Sequence, residues 1–217
     1  MTDALVLHPD DVPASASEVF RRVWRSTLDQ PGFALLRFAR PVDSRELRRA
    51  LVELVDAFPV RFVPERFGRF DQQVSSKFHR DGAPPASLLV LGYEPTAVRS
   101  RFWLADASAA AVHANLALKD YLAANNPMFP AGEALLAPFI TELDLPHGES
   151  FVVVVNNSLL PFGSENPLGV LHKAVIESPD PNGRRVINSV GFTPLAGGAT
   201  GRPAAESERF LARYDLD

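Results

Sequence analysis

The sequence predicts a mainly β protein with flanking helices (α+β), arranged as an antiparallel sandwich or jelly roll. Three observations predict it. Short runs rich in Val, Leu and Phe recur between Gly and Pro punctuation, as buried strands joined by turns require. Pro (19) and Gly (13) are abundant enough for many such turns. The order is helices, then strands with a helical insert, then strands, and the alternation that builds a doubly wound parallel sheet is missing.

Each element has a local reason. Residues 1–13 form an irregular lead-in. Ser15-Ala16-Ser17-Glu18 has the spacing of a capping box, and the helix it opens runs to about Leu28, with Val19, Phe20, Val23 and Trp24 on one face. Pro31-Gly32 ends it, and 32–38 is a buried strand. Asp43 to Ala57 is a second helix, with Leu47, Ala50, Leu51, Leu54 and Val55 at helical spacing and Pro59 as its stop. Strands are expected at 60–63, 72–78, 87–93 and 99–105. Asp106 or Ser108 caps a helix through 109–124, and a further helix spans 131–143. Strand texture returns at 150–156, 170–178 and 184–193, with Pro179-Asp180-Pro181-Asn182-Gly183 as the turn between the last two. Residues 196–203 are Gly/Ala/Pro-rich and loose, and a short helix over 206–214 closes the chain. The organisation expected is one domain over 1–217. Residues 1–59 give helical support, 60–193 the β core with a helical insert at 106–145, and 194–217 a tail with a short helix.

Composition bounds the function. Without Cys there is no disulfide framework, thiolate metal site or catalytic thiol, so any metal is held by His, carboxylate or carbonyl groups. A net charge of −4 gives no electrostatic footprint for nucleic acid. No apolar run approaches the ~20 residues of a membrane span, and the N-terminus has no signal-peptide pattern. A cytoplasmic protein acting on a small-molecule substrate, with neither nucleic acid nor membrane as partner, is the expectation; the sequence does not reveal the oligomeric state.

Five His are available. A His with an acid two residues on makes a chelating pair when it lies on a strand, because i and i+2 project from one face. Three such pairs occur: His8/Asp10, His79/Asp81 and His147/Glu149. The first lies in the lead-in, where Pro9 removes a ladder hydrogen bond. His147 sits in a turn after Pro146. His79-Arg80-Asp81 ends a strand-like run and precedes a Gly/Pro loop, where a metal is reachable by solvent and substrate. His172 supplies a third ligand. On its strand it shares a face with Ala174 and Ile176, while Lys173 and Glu177 face outward. After the turn, one of Arg184 and Arg185 must face the same side as His172, where it needs an anionic partner. His172 on its own is better read as a hydrogen-bonded core histidine, and an arginine pair beside a turn is often just surface.

With these residues in place, the sequence resembles the non-haem iron(II), 2-oxoglutarate-dependent oxygenases. Their signature is H-x-D, a distant His, and an Arg about a dozen residues further. Here it falls on His79, Asp81, His172 and Arg184 or Arg185, with Arg184, twelve residues after His172, favoured. The Gly148–Asn157 segment looks like the Gly-acid-apolar-Asn strand before the distal His. The resemblance covers residues 70–192. It implies a double-stranded β-helix (a cupin-like jelly-roll barrel) and iron(II) on His79, Asp81 and His172. It further implies 2-oxoglutarate bound with help from Arg184 or Arg185, Tyr93 and Asn188, with O2 as co-reactant and ascorbate as a stimulant. The implied reaction is hydroxylation of a small molecule through an iron(IV)-oxo oxidant, releasing succinate and carbon dioxide. Asp81 in the acid position sets the chain apart from the halogenases of that family. Lys77, Gln72, Gln73, Ser75, Asn156, Arg99 and Arg101 are secondary candidates for the cavity wall. The rival readings are a zinc-binding hydrolase on the same ligands and a non-enzymatic, cupin-like ligand-binding protein.

Overall fold

The computed structural model describes residues 3–163, 165–195 and 204–217; the expected loose segment 196–203 lies outside them. The strands are β1 (Leu5–Leu7), β2 (Phe33–Phe38), β3 (Phe62–Asp71), β4 (Leu88–Tyr93), β5 (Ser100–Ala105), β6 (Ile140–Leu143), β7 (Phe151–Asn156), β8 (Leu171–Ile176) and β9 (Val186–Pro194). The α-helices are α1 (Ala16–Val23), α2 (Ser44–Asp56), α3 (Ala107–His113), α4 (Leu118–Ala124), α5 (Pro130–Leu136) and α6 (Ala204–Ala212). No helix among the described residues is long and apolar enough to cross a membrane.

The result is a mixed, β-rich α+β fold. Six strands pair in the order β1-β2-β7-β4-β9-β3, and three more in the order β6-β5-β8. β1 runs parallel to β2, and the other pairs are antiparallel. Neither strand order closes on itself, so the expected barrel is observed as two open sheets.

Strand alternation divides the core. On the large sheet Ala34, Leu36, Val90, Val152, Val154 and Val190 face α1, α2 and α6. Their neighbours Leu35, Leu89, Leu91, Tyr93, Val153 and Ile187 face the small sheet, where they meet Phe102, Leu104, Leu143 and Ala174. The outer face of the small sheet is covered by α3–α5, through Leu118, Tyr121 and Leu136 against Ala105, Leu171 and Phe78. Each fully buried Leu contributes about 2 kcal/mol of transfer free energy to this packing. Gly92 is what lets α2 sit close on β4: a Cβ there would lie 3.0 Å from both terminal methyls of Leu51.

The helix starts correct one expectation and explain another. The Ser15 hydroxyl does not cap α1; it donates to the Val6 carbonyl at 3.1 Å, and Glu18 pairs instead with Arg21 and Arg22 at 2.7 and 2.6 Å. Arginines at i+3 and i+4 outcompete the reciprocal cap for that carboxylate. The full capping box belongs to α2. There Asp43 accepts from the Arg45 and Glu46 amides, both at 2.8 Å, and the Glu46 carboxylate accepts from the Asp43 amide at 3.1 Å.

Other boundaries moved for identifiable reasons. The expected 109–124 helix is two helices, because Asn115 adopts φ 55° between α3 and α4. The expected 131–143 helix stops at Leu136 and passes through a 3-10 turn into β6. Segment 72–78 is not a strand. It lies along the free edge of β8, where the Ser75 and Ser76 hydroxyls accept from the Ile176 and Ala174 amides at 2.9 and 3.0 Å. Serine side chains here replace the backbone carbonyls of a regular ladder.

Candidate metal centre

His79 and His172 approach through the backbone. They form an isolated antiparallel bridge with both hydrogen bonds made, His79 N to His172 O at 3.1 Å and His172 N to His79 O at 2.9 Å. Directly opposed residues project from the same face, so the two rings come together at a centroid distance of 4.2 Å. Asp81, two residues on, brings its Oδ1 to 3.5 Å from His79 Nε2 and 3.9 Å from His172 Nε2. One donor atom from each of the three lies within 4.8 Å of the others, and among the described residues this is the one such group.

The surroundings hold these groups in place. His79 Nδ1 faces the Lys77 carbonyl at 2.7 Å, which assigns a proton to Nδ1 and turns Nε2 toward Asp81. The hydrogen bond with Asp81 raises the His79 pKa, against its burial. His172 is 6% exposed, and burial, helped by the charge of His79, pushes its pKa down to about 4, so it is neutral near pH 7. Burial pulls Asp81 upward. The His79 hydrogen bond and the charges of His172 and Arg66 outweigh that, leaving its carboxyl below the ordinary range. Its other oxygen, Oδ2, accepts from Arg66 Nη2 at 2.7 Å.

A buried amide holds the Asp81 backbone. Asn157 Oδ1 accepts from the Asp81 amide at 3.1 Å, and Asn157 Nδ2 donates to the Asp81 carbonyl at 3.2 Å. Arg80 turns the other way and donates to the Asn157, Ala83 and Pro84 carbonyls. Asn157 was part of the strand pattern seen in the sequence, but nothing there assigned it this task. The signal was its place just after an apolar strand.

A cavity of about 130 Å³ opens beside the triad, lined by His79, Asp81, His172, Gln72, Tyr93 and Phe102 among others. Gln72 and Tyr93 both contact Arg185. The Arg185 guanidinium donates to Gln72 Oε1 at 2.5 Å and to Ser100 Oγ at 2.9 Å, and it lies 4.9 Å from the Tyr93 ring centroid. Arg185 is 1% exposed, its Nη2 has no hydrogen-bond partner, and among the described residues no carboxylate lies within ion-pair distance of it. Tyr93 is also buried and stacks on Phe151 at 4.4 Å; burial raises its pKa.

Two expected residues lie away from the cavity. Arg184, the favoured arginine, is exposed, and its carbonyl accepts from Thr96. The pairing of Tyr93 with Ile187 turns the odd-numbered residues of β9 inward, which puts Arg185, just before the strand, on the inner side. By the same alternation Asn188 faces the helices, where it donates to Glu94 Oε1 at 3.0 Å. Ser189 takes the inward position. Of the secondary candidates, Gln72 reaches the cavity. Lys77 and Arg99 are exposed, and Arg101 is tied to Glu142 at 2.5 Å. Asn156 anchors α1 by donating to the Val23 carbonyl. His8, Asp10, His147 and Glu149 are exposed.

No protein-family model and no curated protein matches the chain. Among solved structures, a taurine dioxygenase from Burkholderia xenovorans matches with a TM-score of 0.48 and 10% identity, over 98% of this chain and 97% of that one. The Kdo hydroxylase KdoO, a non-heme Fe(II) alphaketoglutarate-dependent dioxygenase solved with succinate and Fe(III), matches with a TM-score of 0.40 and 11% identity, over 85% of this chain and 84% of that one. The same hydroxylase with alphaketoglutarate and Fe(III) matches with a TM-score of 0.39 at 11% identity, over 88% and 89% of the two chains.

Proposed function

We propose that the protein is an iron(II)- and 2-oxoglutarate-dependent dioxygenase that hydroxylates a small molecule. The observation that carries this is the pairing of a two-His, one-carboxylate cluster with a buried guanidinium that has no carboxylate partner among the described residues. An unpaired buried charge is costly, so a fold that keeps one beside a ligand cavity is built to receive an anion.

The residues fit the metal. Two neutral imidazole nitrogens and one carboxylate oxygen on one side of an ion are the donor set of iron(II) oxygenases, with positions left for exogenous ligands. The remaining oxygen of Asp81 is held by Arg66, which favours one-oxygen ligation by the carboxylate. When bound, iron(II) couples oxidative decarboxylation of 2-oxoglutarate by O2 to hydroxylation of a substrate C–H bond, with succinate and carbon dioxide as co-products.

The chain's own part is positioning and exclusion. Arg185 receives the distal carboxylate of 2-oxoglutarate through Nη2, and Gln72 and Ser100 hold the guanidinium in place for it. Tyr93 and Phe102 wall the cavity with rings and keep water off the cosubstrate. We read the two sheets as the halves of a double-stranded β-helix around this cavity, in one domain. A zinc hydrolase would use the same three ligands but has no task for Arg185.

The experiment is succinate formation from 2-oxoglutarate with iron(II), O2 and ascorbate. Wild-type protein forms succinate above background, and Asp81→Ala and His172→Ala abolish it. Absence of succinate from the wild type across a diverse metabolite panel overturns the proposal.

A further inference from the structure

A second cavity adjoins the triad. It measures about 250 Å³ and is lined by Arg66, Asp81, Leu88, Asn157, Gly191 and Phe192 among others. Asp81 lines this cavity and the smaller one that holds the His pair, so the two meet at the metal ligand.

A backbone irregularity aims Arg66 here. β3 pairs with β9 with Pro64 opposite Phe192 and Arg66 opposite Gly191, so Glu65 is an extra residue in the ladder. In a regular strand Pro64 and Arg66 would share a face. The bulge reverses the alternation and turns Arg66 to the metal side, where it reaches Asp81. The Arg66 side chain is 53% exposed, so the guanidinium has donors beyond the one on Asp81. Opposite it stands Gly191, where a Cβ would meet nothing nearer than Arg66 Cβ at 3.8 Å. Arg66 also borders a neighbouring cavity of about 190 Å³ together with Arg209 and Arg213, the latter tied to Asp217 at 2.7 Å. The acids at these rims are Glu65, which accepts from Thr193 Oγ1 at 2.9 Å, and Glu206.

We infer that the larger cavity takes the primary substrate, and that this substrate is a small organic anion. Its charged group sits on Arg66 and its apolar body lies against Pro84 and Leu89, the latter on the inner face of β4. The inference rests on the dioxygenase function proposed above and names the substrate class for it.

The test uses protein loaded with manganese(II) as a redox-inert metal and saturated with 2-oxoglutarate, so that added anions cannot occupy the Arg185 site. Short straight-chain carboxylates and alkanesulfonates, their 2-amino and 2-hydroxy derivatives, and the matching amides and amines are titrated by calorimetry and thermal shift. Anions bind, and amides and amines do not. Arg66→Gln weakens anion binding at least about tenfold, and Arg66→Lys recovers part of it. Gly191→Leu, where an added Cβ has room 3.8 Å from Arg66 Cβ, narrows the cavity and removes anion binding while 2-oxoglutarate still binds. Selective binding of neutral or cationic compounds, anion binding indifferent to Arg66→Gln or to Gly191→Leu, or no anion binding up to about 10 mM overturns the inference. Failure of 2-oxoglutarate itself to bind the metal-loaded wild type overturns the function proposed above. Binding of 2-oxoglutarate with a failed anion series overturns the substrate class alone.

Discussion

Replacing Asn157 by Ala removes the clamp on Asp81 without touching a metal ligand. Three side-chain hydrogen bonds are lost: from the Asp81 amide at 3.1 Å, to the Asp81 carbonyl at 3.2 Å and to Ser87 Oγ at 3.2 Å. The backbone carbonyl of residue 157 remains and still accepts from Arg80 and Ser87. At about 1 kcal/mol net for each bond, the loss is about 3 kcal/mol. Part-burial of the Asp81 peptide lets water replace some of it, while the amide is 1% exposed and its removal leaves a small void. About 2–4 kcal/mol of destabilisation is therefore expected. The functional effect is separate. A freed Asp81 samples orientations that do not face His79 and His172, so metal affinity falls about 10–100-fold. Urea unfolding reads the first quantity, and titration with cobalt(II) or iron(II) reads the second. An Asn157→Ala protein that loses stability but binds metal like the wild type would refute the positioning role and leave only a structural one.

Further outcomes follow from the same contacts. Arg185→Met removes a buried cation with no carboxylate partner among the described residues; stability is unchanged or raised by about 1–4 kcal/mol, while 2-oxoglutarate binding is strongly weakened, checked by denaturation and calorimetry. Asp81→Ala and His172→Ala each lower metal affinity at least about a hundredfold by isothermal titration, because two donors remain of three. Glu94 sits among Arg69, Arg48, Ser44 and Asn188, with Arg69 Nη2 at 3.0 Å; burial raises its pKa, and the Asn188 and Ser44 hydrogen bonds and Arg69 lower it further than that. A carboxylate with a depressed folded pKa stabilises the fold above its unfolded pKa and loses that contribution as pH falls through the folded value. Glu94→Gln thus costs about 3–5 kcal/mol at pH 7, and its gap to the wild type narrows in unfolding curves below about pH 4.3.

The sequence carried the site further than the fold. His79, Asp81 and His172 were legible because i, i+2 spacing and strand alternation are local properties. The inward turn of His172 beside Ala174 with Lys173 outward is as the alternation implied; Lys173 meets Glu133 on the outer side. Which of Arg184 and Arg185 turns inward was not legible, because it depends on the register of β9 against β4. Neither was the length of β3. Pro64, Gly68 and four charged residues break its alternation, and only its position at the sheet edge and a bulge make it a strand. Arg66 was missed for the same reason, since a bulge reverses the face of every residue after it. Asn157 and Gln72 act across long sequence separations, which no local pattern encodes.

The central claim is that the His79–Asp81–His172 cluster and Arg185 together hold iron(II) and 2-oxoglutarate. Anaerobic addition of both to the protein tests it without any knowledge of the substrate. A visible metal-to-ligand charge-transfer band is expected for the wild type. The band vanishes in Asp81→Ala, and in Arg185→Met it requires far higher 2-oxoglutarate. A wild-type protein that binds iron(II) yet shows no band at saturating 2-oxoglutarate, or a band indifferent to Arg185→Met, contradicts the account.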